Sequence, residues 1–319
     1  MKNIDVTALG ELLIDFTESG MSPQGNPLLE ANPGGAPCNV LAMLAKLGHR
    51  TAFVGKVGAD MFGRRLRQVV TDAGIDTSGL VEDQQVNTTL AFVHTFEDGD
   101  RDFSFYRNPG ADMMLTTADV KEELLTDCRI FHFGSLSMTA EGCRKATEVS
   151  VARAKQAGAL ISFDPNLREP LWDSLETAKE RILYGLTQCD ILKISDNEIE
   201  WLTGEKDYKK AAAILKERYR IPLILVSLGK NGSMAFSDGA FAQMPGYRVN
   251  TIETTGAGDT FCACVLHYIL ENGFRAYSEE ELTELLRFAN GAAALVTTRK
   301  GALSVMPAKD EVEALIRHR

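Results

Sequence analysis

The run Asn250-Thr251-Ile252-Glu253-Thr254-Thr255-Gly256-Ala257-Gly258-Asp259-Thr260-Phe261 constrains this chain more than any other stretch. Three residues almost without side-chain bulk, Gly256, Ala257 and Gly258, lead into Asp259. An apolar segment over 261–270 follows, and Gly273 closes it. The pattern predicts a loop feeding a buried helix. The first N–H groups of a helix lack internal partners and carry its partial positive charge. Bare backbone lets an anion approach them closely. Asp259 stands where a carboxylate could take a proton from a hydroxyl while those N–H groups hold the developing negative charge. Aspartate is also a favoured N-cap, and Gly-Ala-Gly before a helix also suits a plain turn, so the pattern alone leaves both readings open.

Length and charge narrow the function classes. The chain has 319 residues, 45% of them hydrophobic, enough for one large α/β domain or two small ones. No stretch approaches the roughly 18 consecutive apolar residues of a membrane span. The N-terminus enters a strand pattern directly, without the texture of a signal peptide. A formal net charge of −10 argues against nucleic acid and anionic membrane as partners, and an anionic ligand would need local cations. The six cysteines, Cys38, Cys128, Cys143, Cys189, Cys262 and Cys264, are scattered. Cys262-Ala-Cys264 has no second Cys/His pair at ligand spacing, which argues against zinc there. Buried free thiols in a reducing cytoplasm are the expectation.

Read in order, residues 4–16 suggest a first strand interrupted by Gly10, with Asp15 acidic among apolar neighbours. Residues 18–31 should be loop with a short edge strand. A second glycine loop, Gly34-Gly35-Ala36-Pro37-Cys38-Asn39, opens an apolar helix that stops at Gly48. A short strand ends at Gly55, and Gly55-Lys-Val-Gly58-Ala-Asp60 precedes another helix. That spacing is not the dinucleotide fingerprint, and no P-loop string occurs. Residues 88–107 change to two-residue periodicity around Asp98-Gly99, a hairpin signal. They read as a small antiparallel insertion that could form a lid with parts of 11–31. Beyond Arg129, strands at 129–134, 159–164, 190–195 and 222–228 alternate with helices at 139–157, 173–188 and 207–219. This predicts a parallel sheet covered on both faces, with ligands at the loops after its strands. A late hairpin turns at Asp238-Gly239, and Ser278-Glu-Glu-Glu281 is a capping box opening the last long helix.

Thr254-Thr-Gly-Ala-Gly-Asp-Thr-Phe261 resembles the C-terminal signature of the ribokinase (phosphofructokinase-B type) family of sugar kinases, which includes bacterial and plant fructokinases. The glycine loop at 34–39 followed by Gly55-x-x-Gly58-x-Asp60-x-x-Gly63 resembles its N-terminal signature. The resemblance spans nearly the whole chain. It implies a single ribokinase-like domain over 1–319, a three-layer α/β/α sandwich with a mostly parallel sheet and a small β-sheet lid from segments near 11–31 and 88–112.

The resemblance also implies roles. Asp259 would be the catalytic base, with Gly256, Ala257 and Gly258 as the anion hole. Asp15 and Asn39 would hold sugar hydroxyls, and Gly34 and Gly35 would hinge the lid. Arg107, in Phe-Tyr-Arg-Asn-Pro-Gly-Ala-Asp112, and Arg168, in Asp164-Pro-Asn-Leu-Arg, follow the fructokinase version; both would face substrate, although a loop arginine such as Arg168 also suits a surface ion pair. Lys193, Ser195, Ser227, Gly229, Gly232 and Asn290 would line the ATP site, and Glu198 would help place a magnesium shell. Glu253 stands where many members have aspartate, so a potassium site with Thr255 carries over only weakly. The implied activity is ATP-dependent phosphorylation of a ketohexose, most of all fructose, by a cytoplasmic enzyme, with a homodimer through the lid. The alternatives are a 2-keto-3-deoxygluconate kinase or other sugar kinase of the same family and, from another class, a noncatalytic sugar or nucleotide sensor.

Overall fold

The computed structural model describes residues 2–95 and 101–318, without the side chains of 94–95 and 101–103. The N-terminal pattern that reads as one interrupted strand is two strands in different sheets. β1 (Ile4–Leu9) is buried along almost its whole length. The chain then crosses at Gly10 into β2 (Leu13–Met21), which is buried only at its start and exposed at its end. β2 and β3 (Pro27–Gly34) form an antiparallel hairpin where mostly loop is expected. Its outer residues face solvent on both sides, so they carry no alternation to read.

α1 (Ala36–Lys46), β4 (Thr51–Gly58), α2 (Met61–Asp72) and β5 (Ile75–Asp83) return the chain to the main sheet. β6 (Leu90–Thr95) and β7 (Arg101–Tyr106) then complete a four-stranded small sheet of order β3-β2-β6-β7. This lid sheet is mixed, not antiparallel throughout: β6 runs parallel to β2 and antiparallel to β7. Asp98-Gly99 lies outside the described residues.

The rest alternates as expected: α3 (Glu122–Thr126), β8 (Cys128–Gly134), α4 (Glu141–Gln156), β9 (Leu160–Asp164), α5 (Leu175–Gln188), β10 (Ile191–Ser195), α6 (Asp196–Thr203), α7 (Tyr208–Tyr219) and β11 (Leu223–Ser227). β12 (Ser233–Ser237) and β13 (Ala240–Met244) form the hairpin at Gly239. α8 (Ala257–Asn272), α9 (Glu279–Val296) and α10 (Lys309–Arg317) finish the chain. The nine-stranded sheet has the order β13-β12-β11-β10-β9-β8-β1-β4-β5, and only β12 runs against the others, so that its pairings with β11 and β13 are antiparallel.

Each central strand feeds two cores. Ile191, Leu223 and Leu225 pack on one face with α1, α8 and α9. Leu192, Ile194, Ile224 and Val226 pack on the other with α4, α5 and α7. Strands buried on both faces read as continuous apolar runs, which is why they were legible. All six cysteines are buried and free. Among the described residues, no helix is long and apolar enough to cross a membrane.

Asp60 ties the main sheet to the lid. As N-cap of α2 its Oδ1 accepts from Phe62 N and Gly63 N, 2.9 and 2.8 Å away. It also accepts from Thr88 Oγ1, while Oδ2 accepts from Thr88 N at 2.7 Å. Burial works to raise its pKa, but these donors outweigh it and hold the carboxyl below its ordinary value. A depressed carboxyl contributes stability that is present above its unfolded pKa and lost as pH falls through the folded one. Asp60→Ala should therefore cost about 1–2 kcal/mol at neutral pH, with a smaller difference in acid. Denaturant unfolding at both pH values checks this; equal stability of the two proteins at neutral pH would contradict it.

Candidate functional site

The loops after β1, β8 and β9 and the end of β10 meet the N-termini of α1 and α8 at the C-terminal edge of the parallel strands. α8 begins earlier than its apolar segment implies. Gly256 is its N-cap, and Asp259 is already inside its first turn. Gly256 has φ 78°, and a side chain there would begin 2.4 Å from Ala302 Cβ, so glycine is required. The N-cap reading of Asp259 therefore fails. Its Oδ2 instead accepts a 2.8 Å hydrogen bond from Asn39 Nδ2. Asp259 is only 9% exposed. Burial raises its pKa, opposed by Asn39, Lys193 and Arg168. A buried carboxylate with a raised pKa is a stronger base than an exposed one.

A cavity of about 320 Å³ opens beside Asp259, lined also by Glu11, Asp15, Asn39, Arg168 and Lys193. Val93 and Phe105 reach it from the lid sheet. Burial pushes the Asp15 carboxyl up to about 7; Arg168 opposes this, and Glu253 and Asp259 add to it. Gly34 ends β3 without a side chain that would strike Asp15 Oδ2. Gly35, the N-cap of α1, has φ 127°, and a Cβ there would lie 2.4 Å from the Glu11 carbonyl oxygen. Glu11 was not singled out from the sequence. Its Oε1 accepts from Ala36 N at 2.9 Å, and burial pushes its pKa to about 7. The signal was there: like Asp15, it is an acid inside an apolar run.

A second cavity of about 320 Å³ is lined by Ser227, Gly229, Gly232 and Asn290 with Ala257 and Phe261. Thr254 and Gly258 line both cavities, so the glycine loop is the wall between them. The Asn290 amide is engaged internally, accepting from Ser233 Oγ at 2.7 Å and donating to Met244 O and Pro245 O at 3.3 Å. It shapes this cavity through the 244–245 backbone.

Other expected site residues stand elsewhere or do other work. Arg107 is buried and does not line the cavity beside Asp259. It pairs with Asp112 at 2.7 Å and donates to Thr139 Oγ1 and Leu136 O, while Asp112 accepts from Thr89. This group fastens the base of the lid to the loop after β8. Lys193 faces the first cavity, not the second, and pairs with Asp164 at 2.9 Å. Burial and the Glu198 and Asp259 charges push the Asp164 carboxyl up to about 6 against the pull of Lys193. Ser195, the last residue of the expected strand, is also the N-cap of α6. Glu198 completes the capping box through Ser195 N and Oγ, both 2.8 Å away, and accepts from Leu167 N at 2.7 Å. Glu253 accepts from Thr255 Oγ1 at 2.6 Å and from Gly301 N at 3.1 Å, bracing the loop before Gly256.

The sequence profile of the pfkB family of carbohydrate kinases matches residues 3–309. Fructokinase-1 of Oryza sativa subsp. japonica is 42% identical over 313 residues, covering 98% of this chain and 97% of the relative. A fructokinase structure from Xylella fastidiosa with bound ATP superposes with a TM-score of 0.89 at 33% identity, covering 100% of this chain and 99% of that one. A fructokinase structure from Vibrio cholerae O395 with fructose, ADP and a calcium ion gives 0.88 at 30% identity, covering 99% and 100%. Two signature loops, the ribokinase-like architecture and similarity along nearly the full length agree: this chain belongs to the pfkB family of carbohydrate kinases.

Proposed function

We propose that this chain is a fructokinase that transfers the γ-phosphoryl group of ATP to the 6-hydroxyl of fructose. The observation that carries the reading is the shared wall: a polar cavity holding Asp259 and a more apolar one behind it meet at Thr254 and Gly258. A hydroxyl on one side and a phosphate chain on the other would face each other across the N-terminus of α8. Asp259 takes the proton of the attacking hydroxyl, the oxygen bonds to the γ-phosphorus, and ADP leaves. The N–H groups at Gly256, Ala257 and Gly258 stabilise the charge on the transferring group. An intact base beside this loop favours catalysis over a sensor.

Asp15 accepts sugar hydroxyls, and so does Asn39, whose Oδ1 is buried with no protein partner. Arg168, exposed at the mouth, meets phosphate. Magnesium carried with the nucleotide neutralises phosphate charge. Asp164 suits it, because its buried Oδ1 has no protein partner, and Glu198 suits a contact through water. A potassium ion at Glu253 and Thr255 has less behind it, since both carboxylate oxygens already accept protein donors. Buried free thiols suit a cytoplasmic enzyme. Exposed Met21, Leu28 and Leu29 on the lid hairpin suit a homodimer.

The sugar-side cavity also weighs against an acid substrate. It carries three carboxylates, from Glu11, Asp15 and Asp259, while Lys193 is paired with Asp164. Arg107, a cation that could have received a substrate carboxylate, is committed to Asp112, and Arg168 at the mouth meets phosphate in this reading. A neutral ketohexose fits this balance better than 2-keto-3-deoxygluconate does. In a coupled ADP-release assay, kcat/KM for fructose should exceed that for 2-keto-3-deoxygluconate and ribose by more than about tenfold, near 1.4 kcal/mol. A preference for the acid would overturn the sugar assignment.

Asp259→Asn should lower kcat roughly 10²–10⁴-fold with much less change in sugar affinity; near-wild-type turnover would remove the mechanism. Sugar binding uses the ionised form of Asp15 and proton transfer that of Asp259, both raised by burial and both lowered by Arg168, so kcat/KM is full at alkaline pH and declines as pH falls through these groups, Asp15 at about 7. Arg168 lowers the Asp15 pKa, so Arg168→Gln should move this limb to higher pH. A limb that stays put or moves down would contradict the assignment.

A further inference from the structure

His49 lies in the loop between α1 and β4, at the end of the main sheet opposite the candidate site. Its Nε2 is 2.7 Å from Nδ1 of His267 on α8. His267 and Glu271 share one helix face, four residues apart. Among the described residues, ligand atoms of His49, His267 and Glu271 all lie within 4.8 Å of one another. On the far side of the His49 ring, Asp5 Oδ2 is 4.0 Å from Nδ1. Asp5 is itself held by Arg50 N at 2.9 Å and Arg129 at 3.3 Å. At that distance Asp5 acts by its charge and not through a hydrogen bond, favouring the tautomer with the proton on Nδ1 of His49 and the lone pair on Nε2, the tautomer a metal ion needs. His267 and Glu271 also line a cavity of about 420 Å³, which gives an ion a path from solvent.

We propose that His49 Nε2, His267 Nδ1 and the Glu271 carboxylate form a binding site for a zinc-class transition-metal dication, with Asp5 orienting His49. Two imidazoles and one carboxylate suit zinc, cobalt, nickel or copper rather than magnesium or calcium. Zinc–nitrogen bonds of about 2.0–2.1 Å at a tetrahedral ion set the two nitrogens roughly 3.3 Å apart. The pair therefore opens by about half an ångström, and Glu271, exposed, swings to meet the ion. Zinc takes the place of the proton between the rings, and His267 then carries its proton on Nε2. The site lies two helical turns beyond Asp259, about 12 Å along α8, and shares no residue with the phosphoryl-transfer machinery. The bound ion ties the loop after α1 to the C-terminal half of α8. Asn39 and Asp259 already join these two helices at their other ends.

The test titrates zinc chloride and cobalt chloride into the metal-free, full-length chain without nucleotide. The expected result is one zinc per chain by calorimetry, a Tm that rises with zinc concentration, and the intense visible absorption of four-coordinate cobalt. Glu271→Gln and His267→Gln should each weaken zinc binding by at least about tenfold, and Asp5→Asn by about tenfold. Glu271 is exposed, so its variant should keep the metal-free Tm and decides the matter even if His267→Gln does not fold. No zinc binding, or binding unchanged in Glu271→Gln, overturns the proposal.

Discussion

The hydrogen bond from Asn39 Nδ2 to Asp259 Oδ2 joins the N-termini of the two helices that bear the glycine loops. Burial of Asp259 makes ionisation costly, and a direct ion pair would relieve that cost but leave a weak base. The chain supplies a neutral amide instead. The nearest buried cation, Lys193, is paired with Asp164, so its charge lowers the pKa of Asp259 only at a distance. The carboxyl keeps a raised pKa, and the site keeps a proton acceptor.

Around this contact the two sheets divide the work. The main sheet fixes Lys193, Asp164 and the entries to α1 and α8 at its C-terminal edge, where parallel strands leave their loops. The lid sheet carries Asp15 and presents Val93 and Phe105 to the same cavity. Asp60 with Thr88, and Arg107 with Asp112 and Thr89, fasten the lid at its base. Glycines fall where segments nearly touch, with Gly35 against the Glu11 backbone and Gly256 against the Ala302 side chain. The carboxylates of Asp15, Asp164 and Asp259 thus gather where the edge of the main sheet meets the second sheet.

Much of this was legible in the residues. The βα alternation beyond Arg129, the hairpin at Asp238-Gly239 and the capping box at Ser278 follow from periodicity and local hydrogen bonding, which need only neighbours in sequence. The loop with Asp259 at its end was legible because glycine, a small residue and an acid before an apolar run have few physical uses. What misled was also local. Residues 4–16 read as one strand because an apolar run does not reveal which sheet buries it. α6 was missed because its eight residues, opening Asp-Asn-Glu behind Ser195, look like a loop until the capping box closes.

Side-chain assignment was decided by tertiary structure. The sequence motifs single out Arg107, Glu198, Asn290 and Glu253; they did not determine what each would touch. Arg107 is spent on Asp112, Glu198 on a capping box and a loop N–H, Asn290 on Ser233 and two carbonyls, and Glu253 on Thr255 and Gly301. The His49–His267 pair became visible only once the chain was folded, because its rings lie 218 positions apart. Periodicity is fixed by neighbours a few residues away, so the sequence states it outright. A buried charge or imidazole takes the partner that the packing of distant segments delivers, and only the folded chain decides which one that is.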